Sequence, residues 1–226
     1  MLDIKKIIQY PLPEDQYHKA VFPKSQVVIH HTASGPSAEG VINYWKSDPL
    51  AVATAFTIDG DGDIYQSFSS TYYAAHLGIP AKKIQALGFA DFATRCDTLH
   101  KASVGIEICN WGGLTKDAKG RWASYAGVVV PADQVQLYPD GFRGYKAFQK
   151  YTPNQLAALK DLLVYLCAKF NISTKYNADM FDISKAAIGG QNGIWTHCSY
   201  RSASDKQDCH PQPELLALLA SLSNSN

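Results

Sequence analysis

The sequence predicts a single α/β domain, and three observations predict it. The chain has 226 residues, enough for one full hydrophobic core and a tight fit for two. Hydrophobic residues make up 46% and charged residues 18%, which is the composition of a folding chain rather than a disordered one. Short β-branched apolar runs also alternate with segments whose apolar residues recur at helical spacing.

The first strand is read at Val27 to His31 (VVIHH), a buried-type run that ends abruptly in two histidines and a Gly-Pro turn. Ser37 to Lys46 follows as a short helix, with Ser37 as N-cap and Val41, Ile42 and Trp45 along one face. Ala55 to Phe68 (AFTIDGDGDIYQSF) reads as a β-hairpin whose turn is Asp59-Gly60-Asp61-Gly62. Alternating Asp and Gly also raise calcium binding, but the downstream bidentate Glu of an EF-hand loop is missing. Ser103 to Cys109 (SVGIEIC) reads as a central strand, and it sets Glu107 among residues that should be buried. A buried carboxylate needs either a partner or a task.

Residues 114–151 are rich in Gly, Tyr and polar residues and show little period, so they read as a long insertion over one face of the sheet. Thr152-Pro153-Asn154-Gln155 then opens the strongest helix, with Thr as N-cap, Pro at the first helical position and Gln at the third. Its apolar face is Leu156, Leu159, Leu162, Leu163, Leu166 and Phe170, and Cys167 reads as a small buried hydrophobe beside them. Pro213 to Ser221 closes the chain as a short helix before a frayed Ser/Asn end.

Net charge is +1, from 21 basic and 20 acidic residues, so no broad field attracts nucleic acid or an anionic membrane. No apolar run approaches the roughly 20 residues of a membrane span, and membrane insertion is not expected. The segment MLDIKKIIQYPLPEDQ lacks an uninterrupted apolar stretch of the secretory kind. The five cysteines form an odd, scattered set. Both features suit synthesis in a reducing cytoplasm, and the chain is expected to act as a monomer.

Chemistry concentrates at three places: His30 at a strand end, Glu107 in a buried strand, and the cluster His197, Cys198, Lys206, Asp208, Cys209 and His210. Together they offer two imidazoles, an anionic donor and an open position for water, which is what a catalytic zinc requires. Each has a plainer reading as well: a hydrogen-bonded strand-end histidine, a carboxylate paired with Arg or Lys, and a solvated loop.

The blocks VVIHHTASG, AFTIDGDGDIYQ, AAHLG, SVGIEIC, YTPNQ and the late TH followed by KQD resemble, in that order, the type-2 N-acetylmuramoyl-L-alanine amidases. The likeness runs from about Val27 to Pro211. It implies a mixed β-sheet flanked by helices with a zinc cleft at the sheet edge, and hydrolysis of the bond between N-acetylmuramic acid and L-alanine in peptidoglycan. It further implies His30 and His197 as zinc ligands, His31 as a supporting or structural residue, and Glu107 as the catalytic base. Lys206-Gln207-Asp208 matches the end of the motif, giving Asp208 as third ligand and Lys206 facing substrate. Cys209 follows at once and the family's Pro is delayed to Pro211, so Cys209 and His210 stay open as alternative donors.

His76 in AAHLG matches a histidine beside the cleft that contacts substrate, and Trp111 is a candidate for stacking on it. Tyr72, Tyr73 and Trp122 are as compatible with core packing. Thr54 and Ala55 stand where some relatives place an auxiliary Tyr, which throws more of the work onto Glu107. Some relatives are recognition proteins that bind peptidoglycan without cutting it, but they lack a ligand, and here every ligand position can be filled. Within the enzyme reading, a cytoplasmic muropeptide-recycling amidase and a phage endolysin released through a holin both fit. The insertion favours the polymeric wall as substrate.

Overall fold

The VVIHH run forms strand β2 (Gln26–His31), buried at every position. In this computed structural model, which describes residues 6–223, β2 lies inside a six-stranded mixed sheet. Residues 1–5 of the N-terminal segment and residues 224–226 of the Ser/Asn end lie outside the described residues. On one side β2 pairs in parallel with β5 (Ser103–Ile108), and on the other with β10 (Gly193–Thr196). β5 pairs in parallel with β3 (Phe56–Ile58), which forms the expected antiparallel hairpin with β4 (Ile64–Gln66). A short strand β1 (Ile8–Gln9) closes the far edge, giving the order β1-β4-β3-β5-β2-β10. Strands buried on both faces need uninterrupted apolar sequence, and that is why β2 and β5 are legible as runs.

The hairpin turn is held by its own backbone. Asp59 accepts the amides of Asp61 and Asp63 at 2.9 Å, and Gly62 has φ +91° where a Cβ would lie 2.7 Å from the Asn154 carbonyl oxygen. That close approach seats helix α4 (Pro153–Phe170) on the turn. Gln155 at its third position donates to the carbonyls of Asp59 and Cys109 at 3.0 and 2.7 Å, while completing the capping box with Thr152. From there α4 packs across β2 and β3 and against α6 (Pro213–Ser223). Helix α1 (Ala38–Trp45) has the Ser37 cap read from the sequence. Helices α2 (Ala81–Ala86), α3 (Arg95–Ala102) and α5 (Lys185–Ile188) have no counterpart in the sequence reading.

The insertion is ordered as a second sheet. Strands β6 (Gly113–Lys116), β7 (Trp122–Ala123), β8 (Val135–Phe142) and β9 (Tyr145–Gln149) form an antiparallel sheet of order β7-β6-β9-β8. Its core is small: Leu114, Val130, Val135 and Ala147, with Trp111 and Trp122 packed against it. Only Val135 of β8 is fully buried and the strand contains Pro139 and Gly141, so no apolar alternation marks it in the sequence. This sheet docks on the chain near the C-terminus, where the His210 ring stacks between Phe148 and Tyr151 at centroid distances of 4.7 and 4.6 Å. No helix among the described residues is long and apolar enough to cross a membrane.

Candidate active site

Successive residues of a strand point to opposite faces, so His30 and His31 at the end of β2 part company. His31 Nδ1 meets the Tyr151 hydroxyl at 3.0 Å, on the face that carries the docked insertion, and its ring abuts Gly112, where a Cβ would lie 2.5 Å from Nε2. His30 turns the other way, toward the end of β10. There the chain leaves the sheet at Thr196 and enters a 3₁₀ turn, His197–Ser199, that presents the His197 ring.

His30 Nδ1 and His197 Nδ1 are 3.0 Å apart. Asp208 Oδ2 lies 2.9 Å from His197 Nδ1 and 3.3 Å from His30 Nδ1. All three residues are buried, and among the described residues they are the group of donors that could hold a metal ion. Neighbouring donors around a tetrahedral zinc with bonds of about 2.0 Å stand about 3.3 Å apart, so the arrangement fits that ion closely. The remaining nitrogen of each imidazole is engaged: His197 Nε2 by the Leu77 carbonyl at 2.9 Å, and His30 Nε2 by His76 Nδ1 at 3.0 Å. Donor histidines held from behind in this way are characteristic of metal sites.

Asp208 reaches the histidines because the loop from His197 to Asp208 is tied at many points. Cys198 N–H donates to the Asp208 carbonyl at 2.8 Å, and Gln207 Oε1 accepts the Gly113 amide at 3.0 Å. Arg143, in the β8–β9 turn, inserts a buried guanidinium that donates to the carbonyls of Arg201, Lys206, Phe181 and Cys198 at 2.8 to 3.3 Å. The alternative donors point elsewhere. The Cys209 thiol faces Tyr151, and His210 has Nδ1 on the Tyr138 hydroxyl at 2.8 Å and Nε2 on the Gln149 carbonyl at 2.9 Å. All five cysteines are free thiols, and Cys198 Sγ lies 3.4 Å from the Cys209 carbonyl oxygen.

Charge states follow from this burial. Burial, with His197 adjacent, pushes His30 down to about 4, so it is a neutral imidazole with a free lone pair at neutral pH. Burial would raise the Asp208 carboxyl, but His197 and His30 outweigh it and hold it well below the usual carboxylate range. Glu107 is the register partner of His30 on β5. Its Oε2 is sealed from solvent with no hydrogen-bond partner, and burial, reinforced by Asp208, drives its carboxyl well above the usual range.

Glu107 stands where two cavities meet. One, of about 320 Å³, holds His30, His76, His197, Asp208 and the exposed Lys206. The other, of about 660 Å³, runs over the start of α1 between Tyr44 and Tyr125 and along Ser34 to Ser37. A family model described as N-acetylmuramoyl-L-alanine amidase matches residues 22–213. The chain belongs to this amidase family.

The fold of the amidase is shared with solved structures at low sequence identity. The structure of PlyL superposes with a TM-score of 0.53 at 14% identity, covering 97% of this chain and 98% of the other. The N-acetylmuramoyl-L-alanine amidase LysC from Clostridium intestinale URNW gives 0.50 at 16%, covering 95% and 97%. A selenomethionine derivative of AmpD gives 0.51 at 16%, covering 98% of each chain. Among curated protein sequences none matches.

Lys206 lines the smaller cavity. Trp111 lines neither cavity but packs behind two residues that line the larger one, beside Gly35 and edge to face with Tyr125 at 6.0 Å. His76 borders the same cavity as Lys206, but both of its ring nitrogens are taken, Nδ1 by His30 and Nε2 by the Ser103 hydroxyl at 2.8 Å. Sequence reasoning missed Ser103, Arg143, Tyr44 and Tyr125. Ser103 opens the SVGIE block and was there to be weighed, whereas an Arg in a Gly-rich turn or a Tyr in an aperiodic insertion carries no signal until the chain is folded.

Proposed function

We propose that this amidase is zinc-dependent and cleaves the amide between N-acetylmuramic acid and L-alanine in wall peptidoglycan, with His30, His197 and Asp208 as the metal ligands. The observation that carries the reading is the convergence of those three buried donors within 3.3 Å of one another, next to a carboxylate with an unpartnered oxygen. A bound zinc ion supplies Lewis-acid chemistry there, lowering the pKa of a water and polarising a carbonyl.

The chain's own residues do the rest. Glu107 Oε2 takes a proton as the water oxygen bonds to the lactyl carbonyl carbon, and returns it to the L-alanine nitrogen as the C–N bond breaks. A carboxyl driven upward by burial suits both halves of that cycle, since it is a stronger base than an exposed glutamate and still a usable acid. Lys206 sets a positive charge beside the oxygen that becomes negative. Tyr44 and Tyr125, the latter backed by Trp111, give the larger cavity flat apolar walls suited to sugar faces and a peptide stem, and its open course past α1 favours a polymer over a free muropeptide. That favours a wall-lytic enzyme made in the cytoplasm and released to the wall through a holin.

The test is zinc content of the purified chain together with release of L-alanine-linked peptides from peptidoglycan, with and without a chelator. One zinc per chain and chelator-sensitive release support the proposal. Zinc without cleavage leaves a recognition module, and cleavage indifferent to chelation removes the metal from the mechanism.

A further inference from the structure

His76 is buried, touches a donor histidine, and is not itself a donor to the group of three. Its hydrogen bonds form a chain whose direction can be read from its far end. Ser103 Oγ donates its only hydrogen to the Leu99 carbonyl at 2.7 Å. Toward His76, 2.8 Å away, that oxygen can therefore only accept, so His76 Nε2 carries the hydrogen. A neutral imidazole protonated at Nε2 has a bare Nδ1, which accepts from His30 Nε2–H at 3.0 Å. His30 is thus left with its lone pair on Nδ1, the atom that faces His197 and Asp208.

The next residue does the same for the other histidine. The Leu77 carbonyl has no hydrogen to give, so His197 Nε2 must donate to it at 2.9 Å, and the His197 lone pair also falls on Nδ1. We infer that the His76-Leu77 dipeptide is the positioning element of the donor set, fixing through one side chain and one carbonyl the tautomer in which both imidazoles face the ion.

Two features show that the arrangement is built. Gly105 on β5 leaves room for the His76 ring, since a Cβ there would lie 2.7 Å from Thr54 Cγ2 and 3.2 Å from His76 Nδ1. Leu77 is held from both sides, its amide donating to His100 Nε2 at 3.2 Å and its carbonyl also accepting from Arg201 at 3.4 Å. A polar partner behind each donor is the arrangement that raises ligand basicity and orients the ring. With both nitrogens committed, His76 acts through His30 and has no ring nitrogen left for substrate.

This inference rests on the metal-site reading above, and the experiment separates the two. Zinc affinity is measured by competition with a chromophoric chelator for wild type, His76→Leu, His76→Asn and Ser103→Ala, with thermal unfolding of the metal-free forms alongside. His76→Leu should bind zinc roughly 10- to 100-fold more weakly. His76→Asn, whose side-chain oxygen can stand where Nδ1 accepts, should recover most of that loss, and Ser103→Ala should fall between. Nitrogen-detected imidazole NMR of the zinc-loaded wild type should show His76 as the Nε2–H tautomer, a readout that needs no variant to fold. Wild-type affinity in His76→Leu overturns the inference, as does Asn binding no better than Leu in folded protein, or an Nδ1–H on His76. A wild-type chain that takes up no zinc overturns the metal-site reading itself.

Discussion

His30 and Glu107 are direct register partners on adjacent parallel strands, and each follows buried residues of its strand with a polar group that lines the smaller cavity. A slip of one residue between β2 and β5 would send one of them to the opposite face. Main-chain pairing therefore sets the distance between the proposed metal ligands and the proposed base. Glu107→Gln should keep the metal while turnover falls by roughly 10²- to 10⁴-fold, the usual share of a general acid-base group. Because Oε2 is buried without a partner, the variant should be at least as stable as wild type. Zinc content, kcat and a urea melt on the same preparation check all three, and a variant that loses metal along with activity removes Glu107 from the role of base.

Asp208 and Cys209 are neighbours in sequence with opposite duties. Asp208 points to the two histidines and the Cys209 thiol to Tyr151. Asp208→Ala should lower zinc affinity by at least 100-fold, while Cys209→Ser should alter it by only a few-fold. The reverse ranking in a chelator titration would make the thiol the third ligand.

Arg143 has φ +45° and a guanidinium shared among four carbonyls of the donor loop and its neighbour. Arg143→Ala leaves those carbonyls to water and should cost about 2 to 4 kcal/mol, within the range for breaking a buried network. It should also speed proteolysis between residues 199 and 207. Arg143→Gly relieves the backbone but loses the guanidinium, so if it matches wild type the clamp is unimportant.

Acid should unfold the metal-free protein earlier than its carboxylates alone would require. Burial pushes His30, His31 and His100 down to about 4 from an ordinary value of 6.5. A depressed folded pKa means that the unfolded chain takes up the proton first. The stability these groups contribute is therefore complete above about 6.5 and is lost as pH falls toward 4, at up to about 1.4 kcal/mol per pH unit for each group. Denaturant melts in chelator at pH 7, 6 and 5 should show the decline, and His100→Gln should make it shallower. An unchanged slope in that variant means that His100 already titrates normally in the fold.

The sequence was legible where a residue answers to its neighbours in the chain. Strands β2 and β5, the capping box of α4 and the Asp-Gly turn all declare themselves within a few positions, and His30, Glu107 and His197 ride on such blocks. What could not be read depends on contacts between distant segments. Residues 114–151 read as aperiodic because β8 buries only one of its residues fully, yet they form a sheet. The choice between Asp208 and Cys209 turns on how the loop is tied, and those ties come from Arg143 in the insertion and Gly113 just before it. His76 was legible as a residue of the site, but its hydrogen bonding to Ser103 was not, since the partner lies 27 positions away.

The reach of Arg143 from the added sheet into the donor loop bears on how this enzyme can be rebuilt. Residues 114–151 look like a cassette that could be trimmed to a minimal catalytic domain, or exchanged for another amidase's segment to change wall preference. They are not modular in that sense, because the cassette carries the strut that holds the loop of the proposed ligand Asp208 in place. A graft that keeps the cleft wall but drops the arginine would yield a protein with the right substrate surface and a slack centre, so the insertion and residues 197–208 have to be moved together.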